Sequence, residues 1–266
     1  METNLNTTES ELKPIFTKLD LEKFTNPSFK NERSIRFVCI SDTHSSADKI
    51  TIPDGDVLIF SGDFTYSGQP AEVEKFKNFL KSVPHKQKIM IAGNHDKTFD
   101  MDKYTKLKNH RKFGNLLPEK VEDFKNSFFE GVEGLHYLEN SSANVYGYEI
   151  YGSPFTPIYF NMAFQKFEGK LKEIWKEIPD KTDIVVTHGP PKFIGDYTVS
   201  EIHAGSLSLL NEIQKRIKPK YHIFGHIHEG YGVYQDENTT YINCAIMNVK
   251  YFPKNLPIVF DLPIRL

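Results

Sequence analysis

The chain has 266 residues, 39% hydrophobic and 26% charged, a composition that excludes wholesale disorder, a collagen-like repeat and a coiled coil. Its 33 basic and 35 acidic side chains leave a net charge of −2, so bulk charge makes no case for a nucleic-acid or membrane surface. No apolar run approaches the ~18 residues of a membrane span, and the start, Met1 to Ser10, carries no basic-then-apolar leader; a soluble, cytoplasmic protein is expected.

In chain order, residues 1–33 are polar and unpatterned. Phe16, Leu21, Phe24 and Phe29 are spaced too irregularly for a helix, so an N-terminal tail draped on a single domain spanning 34–266 is expected. From Ile35 onward short β-rich runs alternate with amphipathic stretches, the pattern of an α/β protein. Strands are predicted at 35–40, 57–60, 88–91, 145–151, 184–187, 221–224, 240–247 and 258–261. Helices are predicted at 71–81, where Val73, Phe76 and Leu80 share a face behind Pro70, and at 119–130, 168–178 and 207–218. Cys39 and Cys244 fall in apolar β-like segments and read as small buried hydrophobes. The basic run Lys103 to Lys108 with His110, Arg111 and Lys112 reads as a solvated helix face.

The chemistry lies where the strands end. Five predicted strands run into Ser41-Asp42-Thr43-His44, Ser61-Gly62-Asp63, Gly93-Asn94-His95-Asp96, His188-Gly189-Pro190-Pro191 and Gly225-His226-Ile227-His228, and that edge is where open α/β sheets bind ligands. Asp42/His44 and His226/His228 are i, i+2 pairs, which extended backbone would project to one side. Asp42, His44, Asp63, Asn94, His188, His226 and His228 offer carboxylate, amide and imidazole donors with no thiolate. Such a set suits Mn²⁺, Fe, Zn²⁺ or Co²⁺. Seven donors exceed one tetrahedral site and match two divalent ions about 3.5–4 Å apart, a spacing used for in-line phosphoryl displacement.

The ordered blocks Asp42-x-His44, Gly62-Asp63, Gly93-Asn94-His95-Asp96, Thr187-His188 and Gly225-His226-x-His228 resemble the calcineurin-like metallophosphoesterase superfamily. The wider wording, with Gly62-Asp63-Phe64-Thr65, Gly152-Ser153-Pro154 and Gly225 to Gly232, resembles its metallophosphoesterase-domain-containing subgroup from about Phe37 to the C-terminus. The resemblance implies a four-layer α-β-β-α sandwich of two mixed sheets. It implies two divalent metal ions, manganese favoured, the first held by Asp42, His44, Asp63 and His228 and the second by Asp63, Asn94, His188 and His226. Asp63 would bridge them, a hydroxide held between the ions would attack phosphorus in line, and His95 would contact the phosphate or protonate the leaving oxygen.

No arginine stands in the five blocks, although Arg33, Arg36 or Arg111 could enter from elsewhere. A dianionic monoester profits from a guanidinium fork, whereas a monoanionic diester does not need one. The expected activity is therefore a phosphodiesterase, and the resemblance to the subgroup, which includes cyclic-nucleotide phosphodiesterases, implies a cyclic nucleotide or similar small organic diester as its substrate. The alternatives are a phosphomonoesterase, including a protein phosphatase, or a catalytically weak nucleotide-binding or scaffold protein. The oligomeric state is left open. His203, Phe64 and Tyr66 are substrate candidates, the aromatics because a ring can stack a base, as Phe155 and Tyr231 also could. His85, His110 and His222 read as surface or packing histidines.

Overall fold

The computed structural model describes residues 15–26, 30–110, 113 and 116–265. Residues 1–14 and Phe29 of the expected tail, and Arg111 and Lys112 of the basic run, lie outside that set.

Two mixed sheets carry the fold. The seven-stranded one runs, in spatial order, Thr17–Lys18, Gly232–Gln235, Thr240–Asn243, Tyr221–Phe224, Ile184–Thr187, Tyr148–Ser153 and Ser141–Val145. The five-stranded one runs Ile258–Pro263, Ser34–Ile40, Val57–Ser61, Gln87–Ile91 and Leu135–Tyr137. The central strands of each are parallel; antiparallel strands stand at both margins of the seven-stranded sheet and at the Ile258–Pro263 margin of the five-stranded one, whose other margin, Leu135–Tyr137, is parallel. Parallel strands end at the same edge, so the five motif blocks are delivered together.

Alternation along the strands builds the layers. Phe37, Cys39, Val57, Ile59, Ile89 and Ile91 of one sheet face Ile150, Ile184, Val186 and Ile223 of the other in a shared buried core. The intervening Val38, Ile40, Leu58, Phe60 and Met90 pack on Val73, Phe76, Leu80, Phe124 and Phe128 of the Pro70–Ser82 and Val121–Phe129 helices. On the far side Val185, Phe224 and Tyr241 pack on Leu171, Trp175, Leu209 and Ile213. Three apolar interfaces separate four layers, α-β-β-α, as the motif resemblance implies.

Local signals account for the helix positions. Pro70 opens the first of the packed helices, and Gln69 and Glu72 cap it reciprocally. The helix Met101–Lys108 forms over the basic run, the solvated helix the sequence suggests. The stretch predicted as 207–218 begins as an α-helix, Leu207–Asn211, and continues as a π-helix, Glu212–Ile217.

Three expectations need correction. The strand predicted over 145–151 is a β-hairpin, Ser141–Val145 against Tyr148–Ser153, turning at Tyr146 (φ 52°) and Gly147 (φ 80°). Positive φ at both turn residues is the twist-matched type I′ pattern, and a tyrosine there gives no sequence warning. The strand predicted over 240–247 ends at Asn243 in the seven-stranded sheet. Beyond it the chain crosses over: Ser41 N–H donates to the Cys244 carbonyl (3.0 Å) and Ile246 N–H to the Ser41 carbonyl (2.9 Å), joining the two sheets at the ligand edge. Within the polar N-terminal stretch, Thr17–Lys18 adds an edge strand beside Gly232–Gln235 and Glu22–Thr25 makes one helical turn. No helix among the described residues is long and apolar enough to cross a membrane.

Candidate metal centre

Every predicted ligand lies within four residues of the end of a central strand, and the backbone there leaves regular geometry. Asp42 (φ 50°), His44 (φ 39°), Asp63 (φ 57°) and His226 (φ 67°) all adopt the left-handed region, which side chains enter at a cost and which clusters at functional sites. The i, i+2 pairs therefore converge through tight left-handed turns, not through the extended backbone that the spacing suggested. Two motif glycines are required by close approach. A Cβ at Gly62, itself at φ 97°, would stand 2.5 Å from His188 Nδ1, and one at Gly225 would stand 2.0 Å from Asp42 Oδ2.

The side chains gather into overlapping groups. Asp42, His44 and His228 hold their donor atoms within 4.8 Å of one another, and so do Asp63, His188 and His226. In the first group His44 Nε2 lies 3.4 Å from His228 Nε2, which lies 3.5 Å from Asp42 Oδ1. In the second, His188 Nε2 lies 2.8 Å from Asn94 Oδ1 and 3.4 Å from Asp63 Oδ2. The same Asp63 oxygen is 3.9 Å from His44 Nε2, so one carboxylate reaches both groups. All seven predicted ligands are brought together.

Hydrogen bonds to ring nitrogens fix which way the lone pairs point. His188 Nδ1 lies 2.9 Å from the Ser61 carbonyl and His228 Nδ1 lies 3.1 Å from the Asn248 carbonyl. A carbonyl only accepts, so each Nδ1 donates and each neutral ring turns its Nε2 lone pair into the site. Asn94 Nδ2 faces Met162 Sδ (3.2 Å), leaving its oxygen inward. Backbone N–H of His226 donates to both Asp42 oxygens (3.1 and 2.9 Å), the Ser41 hydroxyl donates to Oδ2, and His95 N–H donates to Asp63 Oδ1 (2.7 Å).

This donor set fits divalent cations. Lone pairs of carboxylate, amide and imidazole converge on buried points, and such a cluster is stable only with positive charge among its members. The titration behaviour agrees. Burial opposes charge on His188, yet Asp63 and Asp42 outweigh it and raise the imidazole to about 9; a proton there does in part what a cation would do. Burial lowers His44 to about 4, and burial with the neighbouring His188 charge lowers His226 to about 3, so both rings are neutral donors. Burial works against the Asp63 carboxylate, but His188 and His95 hold it well below the ordinary range.

The remaining candidates divide. His95 is half-buried beside Asp63 and His44, its ring 4.6 Å from that of His44, and its Nδ1 donates to the Tyr66 carbonyl (2.6 Å). Tyr66 is 56% exposed with its ring 5.8 Å from His95. Phe64 does not reach the site: it is fully buried, stacked on Phe76 at 4.6 Å and edge-on to Phe99 at 5.1 Å. It follows Asp63 but points into the helix-facing layer, so, contrary to the sequence expectation, it offers no stacking surface to a substrate. His203 Nδ1 pairs with Asp196 (2.7 Å) in a separate hollow of about 440 Å³ lined also by Phe193, Tyr197 and Tyr234, to which none of the seven ligand residues contributes. Phe155 packs partly buried between two cores, and the Tyr231 hydroxyl donates to the Leu256 carbonyl.

Two residues at this edge escape sequence reasoning. Asp96 stands in a motif block but received no role. It accepts from the backbone N–H of Gly93 (2.8 Å), Asp63 (2.9 Å) and Thr65 (2.9 Å) and from the Thr65 hydroxyl (2.7 Å), tying the Asp63 loop to the Asn94 loop. Burial and the Asp63 charge push it up to about 8, while those donors favour the carboxylate. Tyr251 brings its ring within 4.8 Å of His44 and 5.2 Å of His228, and no local pattern marks it.

A family model described as calcineurin-like phosphoesterase matches residues 35–230. The chain is similar to metallophosphoesterase domain-containing protein 1 of Homo sapiens, 45% identical over 234 residues that cover 86% of this chain and 71% of that one. It is also similar to a UPF0046 protein of Caenorhabditis elegans, 39% identical over 248 residues, 91% of this chain and 85% of that one. A solved crystal structure aligns with a TM-score of 0.57 over 87% of this chain and 100% of that chain at 14% identity, a likeness of fold alone.

Proposed function

Because the chain belongs to the calcineurin-like phosphoesterase family and is a metal-dependent phosphoesterase, we propose that its substrate is a phosphodiester, a cyclic nucleotide or similar small organic diester. The observation that carries this reading is the absence of a guanidinium at the site among the described residues. Arg36 forms a two-pronged pair with Asp261 (2.8 Å to each oxygen), Arg216 is tied to Glu212 and Asp180, and Arg265 to Asp183. Arg33 precedes the Ser34–Ile40 strand, at the end opposite the ligands. A dianionic monoester is left without a fork to match its oxygens, whereas a diester carries one charge fewer.

Asp42, His44, Asp63 and His228 would hold one divalent cation and Asp63, Asn94, His188 and His226 the other, with manganese the ion proposed. Bound there, the cations supply the charge that lowers the pKa of coordinated water and neutralises phosphoryl oxygens. Ser61 and Asn248 keep the His188 and His228 tautomers correct. The Tyr66 carbonyl accepts a hydrogen bond from His95 Nδ1–H, so with the ring protonated it is Nε2–H that would be given to the departing oxygen, leaving a neutral ring, a contribution of roughly 10²–10⁴-fold.

The test is a pair of chromogenic esters, bis(p-nitrophenyl) phosphate and p-nitrophenyl phosphate, with 2′,3′- and 3′,5′-cyclic nucleotides beside them, assayed on manganese-loaded protein with Asp63→Ala as blank. Higher kcat/KM on the diesters is expected. A monoester preference overturns the reading.

A further inference from the structure

We propose that Tyr66 and Tyr251 form an aromatic corner that holds a planar ring on the organic side of the phosphoester, beside His95. This rests on the phosphoesterase reading above and adds to it the group recognised next to phosphorus.

The two rings come from segments 185 residues apart and meet edge-on, centroids 5.8 Å apart at 69°. Together they border the first ligand group. Tyr251 lies 4.8 Å from His44, 5.2 Å from His228 and 6.5 Å from His95, and Tyr66 lies 6.1 Å from His44 and 5.8 Å from His95. A phosphoryl group held by these histidines lies within a few ångströms of both rings, so its ester substituent can reach them. Both rings are large and apolar, yet 56% and 44% exposed, whereas the ligand side chains beside them are buried.

Their backbones are fixed. Tyr66 N–H donates to Ser45 Oγ (3.2 Å) and Glu72 Oε1 (3.3 Å), and the Tyr66 carbonyl is the partner of His95 Nδ1. Tyr251 sits at φ 58°, a costly conformation for a side chain of this bulk. It is imposed by a turn in which Tyr251 N–H donates to the Asn248 carbonyl (2.8 Å) and Asn248 Oδ1 accepts from Lys250 and Phe252. That Asn248 carbonyl also accepts a hydrogen bond from His228 Nδ1–H. The turn that aims Tyr251 is thus the one that orients a proposed metal ligand, and ring and ligand keep a fixed relation. Preorganised aromatic surfaces of this kind recognise planar rings by stacking.

The experiment measures binding of two ligands that cannot be hydrolysed, phenylphosphonate and methylphosphonate, to the manganese-loaded full chain by titration calorimetry. Wild type is expected to bind phenylphosphonate about ten-fold or more tightly than methylphosphonate, the scale of one stacking contact. Tyr251→Ala and Tyr66→Ala should each collapse that ratio while leaving methylphosphonate affinity and manganese content unchanged. Tyr251→Phe, which keeps the ring, should retain it. An unchanged ratio in both alanine variants overturns the proposal, as does a wild type with no preference for the phenyl ligand. Neither result touches the diester-to-monoester comparison, and a monoester preference there leaves these ratios unaffected, so the two readings fail separately.

Discussion

The strand-end edge and the layers behind it are built on opposite principles, and the boundary between them runs between two adjacent residues. Asp63 and Phe64 are both fully or almost fully buried. Asp63 sits at φ 57° among histidines; Phe64 lies in a cluster with Phe60, Phe76, Phe99 and Phe128. The edge packs lone pairs and charges in left-handed backbone, an arrangement that costs stability and yields chemistry. The layers pack apolar side chains in regular strands and helices, which supply the stability the edge consumes. Substitutions on the two sides should therefore separate turnover from stability.

The largest effect is expected at Asp63, whose single oxygen serves both ligand groups. Asp63→Ala should lower kcat/KM by about 10³-fold or more, the several kcal/mol of charge stabilisation that a metal pair provides, and should reduce metal content measured by elemental analysis. A variant with full metal occupancy and near-normal turnover would contradict the shared role. One residue on, Phe64→Ala should cost about 3–5 kcal/mol in urea unfolding, as large aromatic truncations in cores do, with KM unchanged for the folded fraction. A KM shift without a stability loss would return Phe64 to the substrate surface.

Asp96 tests the boundary from within the edge. It touches the backbone of the ligand loops and not the predicted donor atoms, so Asp96→Ala should weaken metal binding by about 10–100-fold, the usual cost of removing a group that orients ligands. Asp96→Asn retains an acceptor oxygen and should lose less. Metal titration of the two variants ranks them, and equal losses would mean that the charge of Asp96 matters more than its hydrogen bonds.

The same division explains what the sequence discloses. The candidate ligands are legible because five blocks stand in order at the ends of apolar runs, and the layers because Val38, Leu58 and Val185 alternate with Phe37, Ile59 and Ile184. The Tyr146-Gly147 turn was hidden because its φ signs are set by hairpin twist, with only one glycine to signal them. Phe64 was misread because adjacency to Asp63 in the chain says nothing about direction once the backbone turns left-handed between strand and loop. Tyr251 was invisible because its partners, His44, His228 and Tyr66, are all tertiary neighbours.

The smallest effect sits where the layers meet the edge, at His222. Its ring is fully buried, and Nε2 lies 2.8 Å from Thr187 Oγ1, whose own proton goes to the Gly189 carbonyl (2.7 Å). Nε2 is therefore the protonated nitrogen, and buried Nδ1 has no hydrogen-bond partner. Burial lowers the ring to about 3, against about 6.5 in the unfolded chain. Between those values the unfolded state takes up a proton that the folded state refuses, so stability falls as the pH drops from about 6.5 towards 3. At about 1.4 kcal/mol per pH unit, the loss at pH 5 is about 2 kcal/mol. His222→Gln removes this titration and leaves every other group in place, the ligand histidines included. The variant should be less stable than wild type at pH 7.5, and the gap in unfolding free energy should narrow by about 2 kcal/mol by pH 5. A gap that stays constant across that range would show that the ring is not buried neutral, and would weaken the view that the layers, unlike the edge, tolerate no charge.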